Sequence, residues 1–329
     1  SRSESARNRR RGITMEKIIQ KIPKRFKSRK TMFGENFWGI LMASVPLIGA
    51  FFFMLIPLVF SLILSFCSMK GFDPASIEFL GAKHLFDNYV YIFKDGLFWK
   101  SVGNTFYAVL SLPLSMAIAL ALSVVMNSEL KGKTIFRTIF FLPYVCSVVA
   151  LTNMWRLMLD TNYGILNEFL GIFGVDKINW LSNEKTYMPA MIIMGAWTSL
   201  GFNIILFSAA LTGVSKSYYE AARIDGAGKF AQFRSITLPL ISPTTFYLLV
   251  MGLIGGIQDF TRFQAISFGE TGPNNAGLTM VFYLYQQGFT NNYTYGMGFA
   301  AATSWVVALL ILGLTVVNFK VSKKWVHYD

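Results

Sequence analysis

The chain alternates between long apolar stretches and short polar ones. Six apolar segments run approximately over Phe37–Ser68, Ser101–Asn127, Thr134–Leu159, Met188–Gly213, Pro243–Gly269 and Tyr295–Phe319. Each is long enough to cross a bilayer, which takes about 20 apolar residues as helix. The pattern predicts an all-α polytopic membrane protein with six transmembrane helices over residues 37–319. The first segment is too long for a signal-peptide core and lacks a convincing small-x-small cleavage site, so it is read as retained. One polar interruption is longer than a turn requires. "YYEAARIDGAGKF", Tyr218–Phe230, places Glu220, Arg223, Asp225 and Lys229 between the fourth and fifth segments.

Charge fixes an orientation. The stretch before the first segment holds Lys17, Lys21, Lys24, Arg25, Lys27, Arg29 and Lys30. The second-to-third connection has Lys131, Lys133 and Arg137, and the fourth-to-fifth has Lys216, Arg223, Lys229 and Arg234. The tail, 320–329, has Lys320, Lys323 and Lys324. The opposite connections are poorer in base or balanced by acids. By the positive-inside rule both termini and the charged connection are cytoplasmic. The composition agrees, with 53% hydrophobic, 16% aromatic and only 14% charged residues and a mean hydropathy of +0.47. The net charge of +13 sits beside apolar segments, where it sets topology, so no nucleic-acid partner is expected. Residues 1–36 form a basic N-terminal segment. "SRSESARNRRRGIT" before Met15 reads as an expression scar, an upstream extension or a genuine tail, and is set aside. Met15–Lys30 carries Ile18, Ile19, Ile22 and Phe26 among lysines. It is either an amphipathic helix on anionic lipid or a solvated tail.

The connection over 214–242 reads as helix, glycine turn, helix. Ser217 lies three residues before Glu220, the spacing of a capping box. Gly226 suits the left-handed position after a helix. A second helical piece, Lys229–Ile236, is expected to end before Pro239, and Pro243 suits the first turn of the fifth span. Ala221 and Ala222 leave a small, smooth patch that another protein's groove can approach. The plainer alternative is a helix lying on lipid.

These residues carry a resemblance. Glu220-Ala221-Ala222, three residues, Gly226, nine residues, Ile236, one residue, Leu238-Pro239 resembles the EAA loop of inner-membrane subunits of bacterial ABC importers. The likeness extends through "NYVYIFKDGLFWKSVGNT", "FRTIFFLPYV", "NYGILNEFL" and Trp180 to carbohydrate permeases of the first-permease type, similar to the maltose, glycerol-3-phosphate and multiple-sugar systems. It departs at "FGETGP", Phe268–Pro273, where relatives tend to have a Gly-Gly-Pro run. The resemblance implies a coupling helix that seats in a cytoplasmic ATPase, with Glu220, Ala221, Ala222, Asp225, Gly226, Ile236, Leu238 and Pro239 as the coupling set. It implies a second homologous permease, an ATPase dimer, an extracytoplasmic sugar-binding protein and membrane lipid as partners. It implies a bacterial inner membrane as the location. The chain itself would bind no cofactor; ATP and Mg would belong to the ATPase subunits.

Gly252, Gly255, Gly256 and Asp259 are spaced as one helical face. A glycine stripe serves close packing or opens a cavity. Asp259, about 16 residues into its segment and so roughly 24 Å along the axis, favours a polar path, because intramembrane carboxylates face bundle interiors or water. Arg262 can pair with it, which would make both structural. The resemblance to the maltose permease places Thr198, Ser199, Phe202, Gly255, Gly256 and Asp259 at sugar-contact positions. Gln258, Arg262 and Trp197 add hydrogen-bonding and stacking capacity beside them. Tyr283, Tyr285, Gln286 and Gln287 touch substrate or form an aromatic belt. A stand-alone channel or secondary transporter, with Asp259 and Arg262 coupling an ion, is the second reading.

Other signals fall away. "GKT" at Gly132–Thr134 lacks the glycine and the strand that a phosphate loop needs, since Asn127 stands where the glycine belongs. Cys67 and Cys146 give no metal spacing, and His84 and His327 are the only histidines. The sequon Asn292–Thr294 is a chance match in a bacterial protein, and Arg9–Arg11 a solvated run. No nucleophile–base pair suggests an enzyme.

Overall fold

The computed structural model describes residues 29–69, 71–127, 132–290 and 296–327. The amphipathic Met15–Lys30 expectation (apart from its last two residues) and the Asn292–Thr294 sequon lie outside them. The described residues up to Phe60 and those from Ser61 onward form separate units. In the first unit, α1 (Arg29–Ala50) passes through a π-helical turn, Phe51–Leu55, into α2 (Ile56–Leu64), which continues into the second unit. The helix reaches back to Arg29, so the basic segment does not stay separate from the first span as far as residue 36.

After α2 the chain makes a two-strand ribbon, Cys67–Ser68 against Glu78–Phe79, antiparallel. The short α3 (Asp87–Lys94) leads into α4 (Gly96–Val109) and α5 (Ser111–Met126). Then come α6 (Lys133–Val145), α7 (Val148–Met158), α8 (Ile165–Gly171) and α9 (Glu184–Gly213). The rest is α10 (Lys216–Ile224), α11 (Lys229–Gln232), α12 (Leu238–Leu240), α13 (Ser242–Ile257), α14 (Thr261–Ile266), α15 (Met280–Tyr285) and α16 (Gly296–Ser322). Among the described residues, four helical stretches are long and apolar enough to cross a membrane: Phe37–Leu64, Gly96–Met126, Glu184–Gly213 and Gly296–Ser322. Two bent pairs raise this to six when each is taken as one span.

One bent pair and one early stop correct two expected spans. The third is not continuous, because Thr134–Val145 and Val148–Met158 meet at 102°. Pro143 weakens the ladder there by lacking an N–H, and Cys146 (ψ 154°) is extended beyond it. Ser147 follows at ψ 129° and starts α7. The fifth expected span runs only from Ser242 to Ile257. Gly255 and Gly256 in its last turn are poor helix residues, and the chain restarts as the separate α14. At the other end α16 continues to Ser322, so the first three residues assigned to the tail are helical.

α9 is the most buried of the long helices in the second unit and packs along α5 and α6. Its contacts with α5 are partly polar. Ser199 Oγ donates to Ser115 Oγ at 2.9 Å, and Asn203 Nδ2 donates to the same oxygen at 2.9 Å. Such interhelical bonds contribute about 0.6 kcal/mol each in a membrane. The α6 contact relies on Gly201, where a Cβ would run into the Phe140 carbonyl. That neighbour is backbone and cannot swing away. Gly201→Ala should therefore cost about 1–3 kcal/mol through overpacking. Thermal unfolding of the purified protein checks this, with a Tm several degrees lower expected and an unchanged one contradicting the contact.

Candidate functional site: a capped loop and a cavity between spans

The loop begins with Ser215 as the N-cap of α10, at φ −63°, ψ 134°. Its hydroxyl accepts from the Ser217 N–H at 3.4 Å. The helix thus starts earlier than expected, and Ser217 becomes its second residue, with its Oγ 2.8 Å from that of Ser215. The expected Ser217–Glu220 capping box does not form. Glu220 is exposed and lines an open hollow with Arg223 and Ile224.

The expected stop is present. Gly226 sits at φ 78°, which costs a side-chain-bearing residue energy and glycine little. The Ala227 N–H donates to the Ala222 carbonyl at 2.8 Å, and the Gly226 N–H to Arg223 at 3.1 Å. Those two bonds are a Schellman motif. Ala221, Asp225 and Gly226 are exposed and Ala222 half-buried.

The second helix differs from expectation. It does not end before Pro239. After α11 the ladder widens into a π-helical turn, Phe233–Thr237, and continues through Leu238–Leu240 with Pro239 in the first turn of α12. The wider turn changes register just before the residue that has no N–H to give. Ile236 and Pro239 are half-buried and Leu238 is 37% exposed. A 63° bend then leads into α13, with Pro243 in its first turn as expected.

Two side chains tie the halves of the loop together. Tyr219 Oη lies 3.0 Å from Thr237 Oγ1, and Gln232 Nε2 donates to the Ala227 carbonyl at 2.8 Å. Thr237 is buried. Sequence reasoning missed both ties. Tyr218 and Tyr219 look alike in the sequence, and only the helix register turns one outward and the other inward.

The broken span and the shortened span open a cavity of about 320 Å³. Thr198 and Ser199 on α9, Gly255 and Gly256 on α13, and Asp259 and Arg262 beyond it all line the space. Tyr144, Cys146 and Gly195 line it too and were missed, since their place depends on the break after Pro143. Asp259 lies past the end of α13, so it is not on the glycine face. The glycines divide between the two readings. A Cβ at Gly252 would meet Leu112 and one at Gly256 would approach Val109 to 3.2 Å, whereas nothing lies within 4 Å of Gly255. The first two serve packing and the third leaves room. Phe202 is not in the lining. It stacks on Tyr144 with centroids 4.9 Å apart, behind the wall. Gln258 is exposed and ends α13. Trp197 packs edge-on to Trp155 in the core. Tyr283 belongs neither to a belt nor to the path. It is fully buried, and its hydroxyl donates to Asp95 Oδ2 at 2.6 Å. Tyr285 stacks on Phe289 at 5.1 Å.

The wall has a definite hydrogen-bonding character. The Thr198 hydroxyl donates to the Met194 carbonyl at 2.7 Å, and the Ser199 hydroxyl shares its one proton between the Gly195 carbonyl and Ser115 Oγ. Their protons are committed, so they offer a ligand lone pairs. Arg262 is buried, pairs with Asp259, and keeps an unpartnered Nε. It lies across Gly195, where a Cβ would occupy its guanidinium. Removing either partner strands a charge and should cost about 3 kcal/mol. Arg262→Ala and Asp259→Ala are each expected to lower the unfolding temperature, and the double substitution to cost less than their sum. Strict additivity would contradict the pair.

Residues 111–325 match the family described as binding-protein-dependent transport system inner membrane component. The chain is 36% identical to the probable ABC transporter permease protein YesP of Bacillus subtilis, over 92% of this chain and 96% of that protein. It is 33% identical to the arabinooligosaccharides transport system permease protein AraP of the same organism, over 82% and 83%. Among solved structures it resembles a chain of a bacterial alginate ABC transporter, solved in complex with alginate pentasaccharide-bound periplasmic protein. The TM-score is 0.74 at 22% identity, covering 91% of this chain and 98% of that one.

Proposed function

The chain belongs to the family of binding-protein-dependent transport system inner membrane components, and we propose that it forms one half of a pore importing an oligosaccharide. Its partners are a second, homologous permease, a cytoplasmic ATPase dimer and an extracytoplasmic sugar-binding protein. ATP and Mg²⁺ belong to the ATPase chains. The membrane is a bacterial inner membrane, with the 214–242 loop and both termini on the cytoplasmic face, as the lysine and arginine distribution supports.

The observation that carries the reading is the build of the loop. α10 is stopped by a left-handed glycine and exposes Glu220, Ala221, Asp225 and Ile224. Tyr219 and Gln232 fasten it to the helix that leads into α13, and α13 supplies Gly255 to the cavity. A push on α10 therefore has a fastened route to the cavity wall. The ATPase cleft grips α10, closure of the ATPase pair drives two such loops together, and the cavity passes from inward- to outward-facing. Arg262, Asp259 and the wall hydroxyls suit a hydroxyl-rich ligand, since they offer both donors and acceptors to adjacent hydroxyl groups. The arabinooligosaccharide relative supports the same substrate class.

Gly226→Pro removes both the left-handed conformation and the N–H donated to Arg223. It should abolish sugar uptake while ATP hydrolysis no longer responds to loaded binding protein, with membrane insertion retained. Glu220→Lys should act in the same direction. Normal uptake with either would refute the coupling role.

The fastening is tested separately. Tyr219→Phe and Thr237→Val each delete one hydroxyl, worth about 1 kcal/mol and so roughly fivefold. Sugar moved per ATP hydrolysed in proteoliposomes should fall by about that factor, and Thr237→Ser should restore it. An unchanged ratio in both variants would show that the hydroxyl pair carries no coupling.

A further inference from the structure

The connection between the third and fourth spans contains "NYGILNEFL", which neither the loop nor the cavity uses. Its helix, α8, is turned inside out. Asn167 is buried at 3% exposure. Ile165, Phe169, Ile172 and Phe173 are exposed at 68%, 57%, 78% and 70%. At 3.6 residues per turn Ile165 and Phe169 share one face of α8 with Asn167 opposite, and Ile172 and Phe173 follow in the turn after it. The rings of Phe169 and Phe173 meet edge-on at 5.3 Å, which joins the turn to that face.

The inner face closes the segment's own polar groups. Asn167 Nδ2 donates to the carbonyls of Ile178, Thr161 and Asp160 at 2.9, 3.2 and 3.4 Å. Its Oδ1 accepts from the Ile178 N–H at 3.2 Å and from Trp180 Nε1 at 2.9 Å. Asp160 accepts from the N–H groups of Asn162 and Tyr163 at 2.8 and 3.0 Å. Those two donors, Tyr163 foremost, hold the Asp160 carboxyl below its ordinary range. Gly164 permits the fold-back, because a Cβ there would collide with the backbone of Met158 and Asp160.

We infer that α8 and the turn after it lie in the interfacial layer of the membrane, with Ile165, Phe169, Ile172 and Phe173 buried among lipid. Three observations select lipid as the occupant. Asn167 and Asp160 pair several of the segment's backbone groups internally, which suits a connection in a water-poor layer. It packs on α7, half of a membrane span, which itself exposes the apolar Met154 and Leu157. Its outward residues are mainly the aromatic and aliphatic kind that insert from an interfacial helix, with Glu168 exposed at the edge of the face and Asp176 and Lys177 in the following exposed stretch. The helix would act as a float that fixes how deep α7 and α9 sit.

The test uses the assembled importer in phospholipid vesicles, with Cys146→Ser so that the buried Cys67 is the remaining native thiol. Nitroxide labels are placed at Phe169→Cys, Ile172→Cys and, as a control, Asp176→Cys. The first two should collide severalfold more with oxygen than with a water-soluble nickel chelate, and the control the reverse. Nickel collisions equal to or above oxygen at 169 and 172 would place the face in water and overturn the inference. Low collisions with both reagents would show that a protein partner covers it, which also overturns it. As an independent reading, Phe169→Trp should raise the fraction of tryptophan emission quenched by brominated phospholipid, and no rise would count against lipid contact.

Discussion

A backbone in hydrocarbon has no water to pair with, so it must close its own hydrogen bonds. Nearly everything distinctive about this protein sits where it fails to do so by plain α-helix. The third span breaks at Cys146–Ser147, and the fifth ends at Ile257 before restarting at Thr261. Cys146 and Asp259 from these two breaks stand on the wall of one cavity. Irregular backbone at membrane depth is tolerated where it lines a space that can hold polar partners, and the two breaks obey that rule together. The Asp259–Arg262 pair follows from the same constraint, since neither charge is tolerable alone in that position.

The charged loop over 214–242 meets a different demand. It must stay stiff in water, where an isolated nine-residue helix such as α10 is marginal. Stiffness comes from closing both ends locally. Ser215 caps the start, the Schellman bonds around Gly226 close the finish, and the Tyr219–Thr237 and Gln232–Ala227 contacts fasten the helix to its neighbour. The π-helical turn at Phe233–Thr237 places Thr237 for that contact and absorbs Pro239 without ending the helix. A loop built in this way is fastened to the helix that leads into α13.

The sequence made some of this legible and hid the rest for physical reasons. Four of the six apolar segments, the left-handed stop at Gly226 and the start at Pro243 are local signals, and the structure follows them. Thr198, Ser199, Gly255, Asp259 and Arg262 converge on the cavity because they lie on or just beyond neighbouring spans. The break after Pro143 was hidden because apolar residues on both sides read as one span, and hydropathy has no term for a bend. Ser217 looked like the cap because its spacing to Glu220 fits a capping box. Ser215 takes that place by having the extended backbone, which spacing does not reveal. Phe202 was placed by the resemblance and Gln258 by its hydrogen-bonding capacity, and neither signal fixes which way a side chain turns: Phe202 stacks on Tyr144 and Gln258 ends α13. Tyr283 was read as interfacial from its position near a span end, whereas its partner, Asp95, lies far away in the chain.

The central claim is that a push on the loop re-aims the cavity. The native Cys146, exposed on the cavity wall beside the broken span, reports this without any substitution. Its reaction with a membrane-impermeant maleimide added from the extracytoplasmic side should be slow in the nucleotide-free importer. It should be at least several times faster when a non-hydrolysable ATP analogue and loaded binding protein hold the ATPase closed. Equal rates in the two states would contradict the account.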